Sequence, residues 1–169
     1  QELTKNGNVR LLDGKIEAIG DNVLSGVGIR TFIGTQTVYA TTTDLTREGL
    51  IRCARSVAEA VGEIKGAVSV RLCERIFPNI HPVTVVPDTA QMSYKTDILK
   101  LACANAKAYD KRIVQAAGGL MTVDHTIEIA NSEGLLVEDR HVRTRIAVTA
   151  IASDGTENQS GFCAPGAGV

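Results

Sequence analysis

The chain is 169 residues long, carries a net charge of −1 and is 44% hydrophobic. This length indicates one domain or at most two small ones, and the apolar content is sufficient for a packed core. The balanced charge provides neither the basic excess expected of a nucleic-acid-binding protein nor an acidic tail for a cationic partner.

The four cysteines are widely spaced along the chain: Cys53, Cys73, Cys103 and Cys163. No two of them form a C-x-x-C pair and no histidine lies at zinc-finger spacing, so reduced thiols, as in the cytoplasm, are the simplest interpretation. No apolar run approaches the roughly 20 residues of a membrane span, and no signal peptide opens the chain. The first residue is Gln1 rather than Met, which suggests a piece of a longer protein.

The first elements in the chain are predicted to be strands. Asp13-Gly14 lies between the apolar segments 9–12 and 15–19, and this pattern predicts a hairpin with a type I′ turn. A third strand is expected over residues 23–33 and a fourth, rich in β-branched residues, over residues 37–42.

The next element is predicted to be an amphipathic helix that starts at Thr43 or Asp44 and ends near Gly62. Its apolar residues recur at helical spacing: Leu50, Cys53, Ala54, Val57, Ala58 and Val61. The following residues, 66–92, contain three prolines and are expected to form a long connector, with a short strand over residues 68–73. A second helix should begin at Ser93 or Thr96 and continue to about Ala108, with Ile98, Leu101, Ala102 and Ala108 on its buried face.

The last third of the chain predicts a β-meander. Strands are expected over residues 112–121, 126–130, 135–137 and 141–152, with turns at Asn131–Gly134 and Ser153-Asp154-Gly155. In the longest segment Val142, Thr144 and Ile146 alternate with Arg143 and Arg145, so one face should be buried and the other exposed. The sequence therefore predicts an α+β fold in which mostly antiparallel meander strands are covered by two main helices.

Few residues suggest chemistry on their own. The three histidines, His81, His125 and His141, belong to no H-E-x-x-H helix, so turn or surface positions explain them better than metal ligation. Asp139, His141, Arg143 and Arg145 form a row that could bind an acidic group or a peptide carboxylate, but a solvated or salt-bridged strand face is the preferred interpretation.

Two further features have structural as well as functional interpretations. Gly118-Gly119 has no G-x-G-x-x-G context for phosphate binding, so a β-bulge is the preferred interpretation. Cys163 lies in a Gly/Pro-rich segment and could be a nucleophile, but no histidine is adjacent to it and an inert thiol is the simpler alternative.

A set of short motifs occurs in a characteristic order across nearly the whole chain. These motifs are Asp13-Gly14-Lys15-Ile16-Glu17, Gly26-Val27-Gly28-Ile29-Arg30, Tyr39-Ala40, Asp110-Lys111-Arg112-Ile113, Ile129-Ala130-Asn131-Ser132-Glu133-Gly134, Asp139-Arg140, Arg143-Thr144-Arg145 and Gln159-Ser160-Gly161. In this order they resemble the opening part of the TldD/PmbA family, once described as modulators of DNA gyrase.

The resemblance implies a cytoplasmic zinc metallopeptidase that cleaves unfolded or leader peptides within a TldD–TldE heterodimer. In such proteins zinc is held by an H-E-x-x-x-H helix and by a cysteine much later in the chain. This sequence contains no H-E-x-x-x-H motif, and Cys163 does not correspond to that cysteine ligand. We therefore expect no catalytic and no metal-binding residue in this segment, with zinc bound outside it. The expected partners are a homologous TldE/PmbA-type subunit and a peptide substrate, with neither nucleic acid nor membrane.

Read in this way, residues 1–169 are one amino-terminal domain. It comprises strands plus a helix (1–65), a connector (66–92), a helix plus meander (93–162) and the start of a link to a catalytic domain (163–169). Because they lie nearest that link, Gln159, Gly161 and Phe162 are expected to face the peptide chamber. The motifs favour TldD over the metal-free TldE/PmbA subunit, which stays an alternative, as does a stand-alone, non-enzymatic binding module.

Overall fold

The computed structural model of the chain describes residues 1–62, 69–78, 80 and 82–168. The helices are α1 (Arg47–Val61) and α2 (Met92–Ala108), and a short 3₁₀ turn covers Pro87–Thr89. The strands are β1 (Glu2–Leu12), β2 (Lys15–Ile33), β3 (Gln36–Thr42), β4 (Cys73–Glu74), β5 (Ile113–Ala130), β6 (Leu135–Ser153), β7 (Asn158–Cys163) and β8 (Gly166–Ala167).

The strands pair in the order β3-β2-β1-β5-β6-β4, with β7 and β8 also hydrogen-bonded to β6. β2 pairs antiparallel with β3, as β6 does with β7 and β8, whereas β4 runs parallel to β6. The predicted α+β class, with mostly antiparallel strands and two main helices, is confirmed.

The chain forms two compact units. Unit 1 comprises Gln1–Thr4, Leu24–Pro78 and Thr126–Arg140. Unit 2 comprises Lys5–Val23, Asn79–His125 and His141–Val169.

In unit 1, α1 begins at a different cap from the one predicted. Thr46 is the N-cap, and its Oγ1 accepts a hydrogen bond from the Gly49 N–H at 3.1 Å. The Asp44 carboxylate supports this cap by accepting bonds from the Thr46 N–H (3.1 Å) and hydroxyl (2.6 Å) and from Arg52 (2.5 Å). The predicted start at Thr43 or Asp44 is therefore wrong. Asp44 is not the N-cap but accepts the hydrogen bonds that hold the N-cap residue Thr46 in place.

The buried face of α1 packs on β3 and agrees only in part with the prediction. Gly49, Cys53 and Val57 are buried at a spacing of four residues, so two of the predicted core positions are confirmed. Ala54, also predicted as apolar contact, is exposed. The glycine at position 49 lets the helix start lie close to Asp44, where a Cβ would collide with the carboxylate.

The turn between β5 and β6, in unit 1, is the one predicted at Asn131–Gly134. The Gly134 N–H donates to the Asn131 carbonyl at 3.2 Å and the Asn131 N–H donates to the Leu135 carbonyl at 3.1 Å, which is a three-residue hairpin loop ending in a glycine bulge. Gly134 has φ +91°, and a Cβ there would lie 2.8 Å from the Arg71 carbonyl oxygen. The glycine thus serves both the turn and the approach of β4, whose Cys73 N–H bonds the Gly134 carbonyl at 2.7 Å.

In unit 2, the predicted Asp13-Gly14 hairpin is confirmed. Asp13 (φ +45°) and Gly14 (φ +80°) both adopt the left-handed conformation that a type I′ turn requires. The Asp13 carboxylate accepts bonds from the Ala116 N–H (3.1 Å) and the Lys107 ammonium (3.1 Å), so it joins the hairpin to β5 and α2. These bonds lower the pKa of Asp13, with the Ala116 N–H as the largest cause and Lys107 next.

The core of unit 2 lies between α2 and the sheet. It consists of Val9, Leu11, Leu99, Cys103, Ala116 and Leu120. The predicted buried face of α2 is correct only in part. Ile98 and Ala102 are half-buried, but Leu101 is 62% exposed and Ala108 is exposed, whereas Leu99, which was not predicted, is fully buried. The helix is apolar on both sides, so periodicity alone could not select the side that faces the sheet.

Three predicted strand breaks do not occur. β2 continues from Lys15 to Ile33, β5 continues through Asp124 and His125, and β6 continues from Leu135 to Ser153. Each of these strands has a neighbour on both sides, and hydrogen bonds at both edges keep polar residues in the extended conformation. Part of the predicted strand at 68–73 lies outside the described residues, and of the rest only Cys73 is in a strand.

Candidate functional site

The three residues predicted to contact substrate lie on one edge strand of unit 2. Gln159, Gly161 and Phe162 belong to β7, which pairs with β6 at Ala152, Ala150 and Thr149 respectively. Within the described part of the chain, β6 is the only strand bonded to β7. All six residues of β7 are exposed and none is charged.

The hydrogen bonds of β6 identify which backbone groups of β7 face its open side. The Ser153 N–H donates to Arg112 and the Ile146 N–H donates to Pro165, on opposite edges of β6. Because backbone groups alternate along a strand, Ala152 and Ala150 face β7 and bond Gln159 and Gly161. Asn158, Ser160 and Phe162 therefore direct their N–H and C=O groups away from β6.

The side chains of β7 alternate across the sheet, so the three predicted residues do not share one face. Gln159 and Gly161 lie on one face, and Phe162, which is 66% exposed, lies on the other. What the three residues share is the strand itself. A ligand that pairs with the strand edge would contact both faces.

Gln159 also lines a cavity of about 370 Å³ in unit 2. Tyr109, Ile113 and Ala152 supply its apolar wall, and the remaining lining residues are Asp110, Arg112, Ser153, Asp154 and Glu157. The cavity lies where α2 ends and where the turn from β6 to β7 begins.

The charged groups of this cavity are held in place by short hydrogen bonds. Arg112 forms two bonds with Asp110, at 2.9 and 2.8 Å, and this pairing holds the pKa of Asp110 far below its usual range and raises that of Arg112. The N–H groups of Glu157 and Thr156 and the Thr156 hydroxyl lower the pKa of Asp154 to about 2. Both carboxylates are therefore ionised at neutral pH, and they stabilise the turns around them.

The predicted row of charged residues on β6 is exposed, as expected for a solvated face. Arg145 pairs with Gly166 of β8, and Arg143 directly precedes the paired residues Thr144 and Arg145. Gly166–Ala167, assigned from the sequence to a link, is therefore a short strand. Asp139 belongs to unit 1 and His141 to unit 2.

The histidines and cysteines do not form a metal centre in the described ranges. No group of three or more His, Cys, Asp or Glu side chains there is arranged to hold a metal ion. His81 lies outside the described residues, His125 is half-buried and His141 is exposed. The zinc implied by the resemblance therefore has no donor set within this part of the chain.

The candidate nucleophile Cys163 is exposed at the end of β7 rather than in a loop. Cys103, in contrast, is buried against the sheet, and burial raises the pKa of its thiol. The environment of Cys103 is that of a packing residue.

One contact in unit 1 was not predicted from the sequence. The Tyr39 ring lies over Gly28, where a Cβ would collide with the ring, and the Arg30 guanidinium lies 4.9 Å from the ring centroid. This stack borders an open groove of about 770 Å³ lined by residues of β1, β2, β3 and β5. Gly28, Arg30 and Tyr39 all belong to the motifs quoted above. In the register of β2 and β3, Tyr39 pairs with Arg30 and its ring lies diagonally across Gly28, so the signal was a glycine two residues from the partner of an aromatic residue.

None of the helices in the described residues has both the length and the apolar character needed to cross a bilayer.

The fold and the edge strand define a class: an α+β module built around an antiparallel sheet that offers backbone hydrogen-bonding groups. Comparison with known families gives the particular family. The model for the PmbA/TldA metallopeptidase domain 1 matches residues 2–61, and that for the PmbA/TldA metallopeptidase central domain matches residues 86–169. The chain belongs to the PmbA/TldD metallopeptidase family, which confirms the resemblance found in its motifs.

Two curated relatives carry the description metalloprotease TldD homolog. The protein from Haemophilus influenzae is 22% identical over 168 residues, which is 98% of this chain and 35% of the relative. The protein from Buchnera aphidicola is 23% identical over 142 residues, 81% of this chain and 28% of the relative. The chain thus spans about a third of the length of these relatives.

Solved structures show the same fold. A protein of Bacteroides thetaiotaomicron, described as a candidate modulator of DNA gyrase, superposes with a TM-score of 0.77 at 13% identity, covering 98% of this chain and 39% of its own. A protein of Thermotoga maritima with a similar description has a TM-score of 0.75 at 22% identity, with 98% and 38% covered. TldE from Thermococcus kodakarensis has a TM-score of 0.61 at 15% identity, with the same coverage of 98% and 38%.

Proposed function

We propose that this chain is the amino-terminal part of a TldD-like zinc metallopeptidase that cleaves unfolded or leader peptides in the cytoplasm. The observation that carries the proposal is the match of two successive family domains, in order, over residues 2–61 and 86–169. Both curated relatives are named as metalloproteases of the TldD type. The partner would be a homologous TldE/PmbA-type subunit, and this segment would wall the peptide chamber and contact that subunit.

Bond cleavage would take place outside this segment. Zinc bound elsewhere in such a protein would polarise the scissile carbonyl and activate a water molecule. The part played by this chain is to hold the peptide in an extended form, and the β7 edge is suited to that task.

The β7 edge supports peptide binding by strand addition. Asn158, Ser160 and Phe162 direct backbone donors and acceptors outward, and an extended peptide could pair with them in the manner of another strand. Such pairing selects for unfolded chains because it uses the backbone of the ligand rather than its side chains. Gln159, Gly161 and Phe162 would flank the added strand on its two faces.

Proline substitution at Ser160 tests this proposal. Proline removes the outward N–H but is tolerated on an edge strand, so the fold should persist while one hydrogen bond to the peptide is lost. Ser160→Pro should weaken binding of a fluorescein-labelled, unstructured casein peptide by about tenfold or more in fluorescence anisotropy, because one lost bond and a local clash exceed about 1.4 kcal/mol. The matched control Ser160→Ala retains the N–H and should bind as the parent chain does.

Equal binding by the proline and alanine variants would show that the β7 edge is not the peptide site. The assignment to TldD has its own test, which is the coding sequence that follows Val169. An H-E-x-x-x-H motif there would support the zinc-bearing subunit, a long second domain without it would identify the metal-free partner, and a stop codon would favour a binding module. We also expect the 169-residue chain alone to show no chelator-sensitive hydrolysis of casein peptides.

A further inference from the structure

Strand β7 leaves one of its residues uncovered on one face of the sheet. Gly161 pairs with Ala150 of β6, so these two residues share a face, and Gln159 and Cys163 lie on that face as well. A Cβ added at Gly161 would meet no atom within 4 Å. The space beside Gly161 is therefore open, and its partner Ala150 contributes only a methyl group to it.

The open space lies on the face of the sheet that carries α2. Val148 packs against the core of unit 2, and Ala150 follows it by two residues on β6, so both side chains point to the same face. Phe162 lies on the opposite face and is 66% exposed. β7 thus presents an aromatic ring on one face and an uncovered glycine on the other.

Unit 1 shows how a strand glycine of this kind is covered. The ring of Tyr39 on β3 lies over Gly28 on the adjacent strand β2. Neighbouring strands are about 4.7–4.9 Å apart, which is within reach of an aromatic side chain. A glycine inside a strand has no side chain to pack, and a ring from the next strand supplies the missing contact.

The strand β6 cannot supply such a ring to Gly161. The β6 residues that pair with β7 on this face are Val148, Ala150 and Ala152, and none of them is aromatic. A ring would have to come from a strand added at the open side of β7. Gly161 directs its N–H and C=O towards β6, so a residue opposite it on the open side would form a non-hydrogen-bonded pair, in which the Cα atoms are about 4.5 Å apart and the side chains are close.

We propose that the β7 edge selects extended peptides that carry an aromatic residue and that the ring of this residue lies over Gly161. Gly161 is then a specificity-determining residue, because only a position without a side chain leaves room for the ring. A peptide held by its backbone alone can shift along the edge, and the ring fixes its register. This inference rests on the proposed peptide site at β7 and names the class of peptide that the site prefers.

Fluorescence anisotropy with three fluorescein-labelled peptides tests the preference. The peptides share one unstructured sequence of serine, threonine and alanine and differ at a single central residue, which is phenylalanine, leucine or alanine. The parent chain should bind the phenylalanine peptide about five- to tenfold more tightly than the alanine peptide, because the ring and the glycine together remove roughly 50 Å² of apolar surface from water. The leucine peptide should bind more weakly than the phenylalanine peptide, since a branched aliphatic chain covers less of the glycine backbone than a flat ring does.

Gly161→Val locates the contact on β7. Valine fills the space over residue 161, so this variant should bind the phenylalanine and alanine peptides equally. Gly119→Val is the matched control, because Gly119 is also a strand glycine with no atom within 4 Å of an added Cβ but lies on β5. The control should keep the preference of the parent chain. Circular dichroism of both variants should match that of the parent, since valine is favoured in strands.

The outcomes separate this inference from the proposed function. If the parent chain binds the phenylalanine and alanine peptides equally, and Ser160→Pro weakens both, the β7 edge remains the peptide site but the aromatic preference is wrong. A preference that persists in Gly161→Val, or that the leucine peptide shares in full, would overturn the inference as well. If no peptide binds, or if Ser160→Pro has no effect on binding, the peptide site at β7 and the inference that rests on it are both wrong.

Discussion

Replacing Gly118 by alanine should destabilise unit 2, whereas the same change at the adjacent Gly119 should not. A Cβ at Gly118 would lie 2.5 Å from the Cys103 Sγ, 2.9 Å from the Leu99 Cδ1 and 3.2 Å from the Leu99 Cγ. A Cβ at Gly119 would meet no atom within 4 Å. The two glycines are consecutive on β5, so their alanine variants form a matched pair.

The size of the expected stability loss follows from the burial of the atoms that the new Cβ would meet. Leu99 and Cys103 belong to the core of unit 2 and cannot move into solvent, so α2 itself must shift outward. Overpacking of this kind costs about 1–3 kcal/mol, which for a chain of this size lowers Tm by roughly 2–12 °C. Gly119→Ala should leave Tm unchanged or raise it slightly, because alanine lowers the entropy of the unfolded chain.

Urea unfolding followed by circular dichroism measures both variants, and a double-mutant cycle identifies the contact. Cys103→Ala removes the nearest atom, so Gly118→Ala/Cys103→Ala should be less destabilised than the sum of the two single variants, by about 0.5–3 kcal/mol. Strict additivity would show that the helix does not rest on Gly118. An equal loss of stability for Gly118→Ala and Gly119→Ala would refute the packing argument.

Three further predictions concern the helices and the turn after β6. Leu99→Ala should lower the free energy of unfolding in urea by about 2–5 kcal/mol, whereas Leu101→Ala at low protein concentration should change it by no more than about 0.5 kcal/mol. A larger loss for Leu101→Ala than for Leu99→Ala would mean that the face predicted from the sequence is the buried one. Thr46→Ala should cost about 1 kcal/mol through the lost N-cap, and Thr43→Ala much less, and equal losses would argue against Thr46 as the cap. Because the pKa of Asp154 lies at about 2, below the usual 3.8, its ionised form stabilises the fold above that usual value and the contribution disappears as pH falls through about 2. Asp154→Asn keeps a hydrogen-bond acceptor in the turn but removes the charge, so Tm of the variant should depend less on pH between about 4 and 2. If Tm of the variant falls with pH as steeply as that of the parent chain, this prediction is wrong.

Local residues were enough to predict the turns. Asp13-Gly14 and Asn131–Gly134 were located from the sequence because only a few residue types adopt the left-handed conformation at low cost. The same is true of the alternation along β6 from Val142 to Ile146, where the environment of each residue repeats with the pleat.

The site was only partly predictable. Gln159, Gly161 and Phe162 were chosen from their position in the chain, and the structure places all three on an edge strand. That their side chains divide between two faces, and that Ser160 directs its backbone outward, depends on the register with β6. Register is a relation between segments far apart in sequence, so no local pattern contained it.

The sequence by itself determined the α+β class, the turns, the number of main helices and the family, because each depends on residue types and their local spacing. Tertiary structure decided which face of α2 is buried and how far β2 and β5 extend. An apolar side chain gains the same free energy of transfer on either face of a helix, and a strand is stabilised by the neighbours that complete its hydrogen bonds. Both outcomes were therefore fixed only when distant parts of the chain came together.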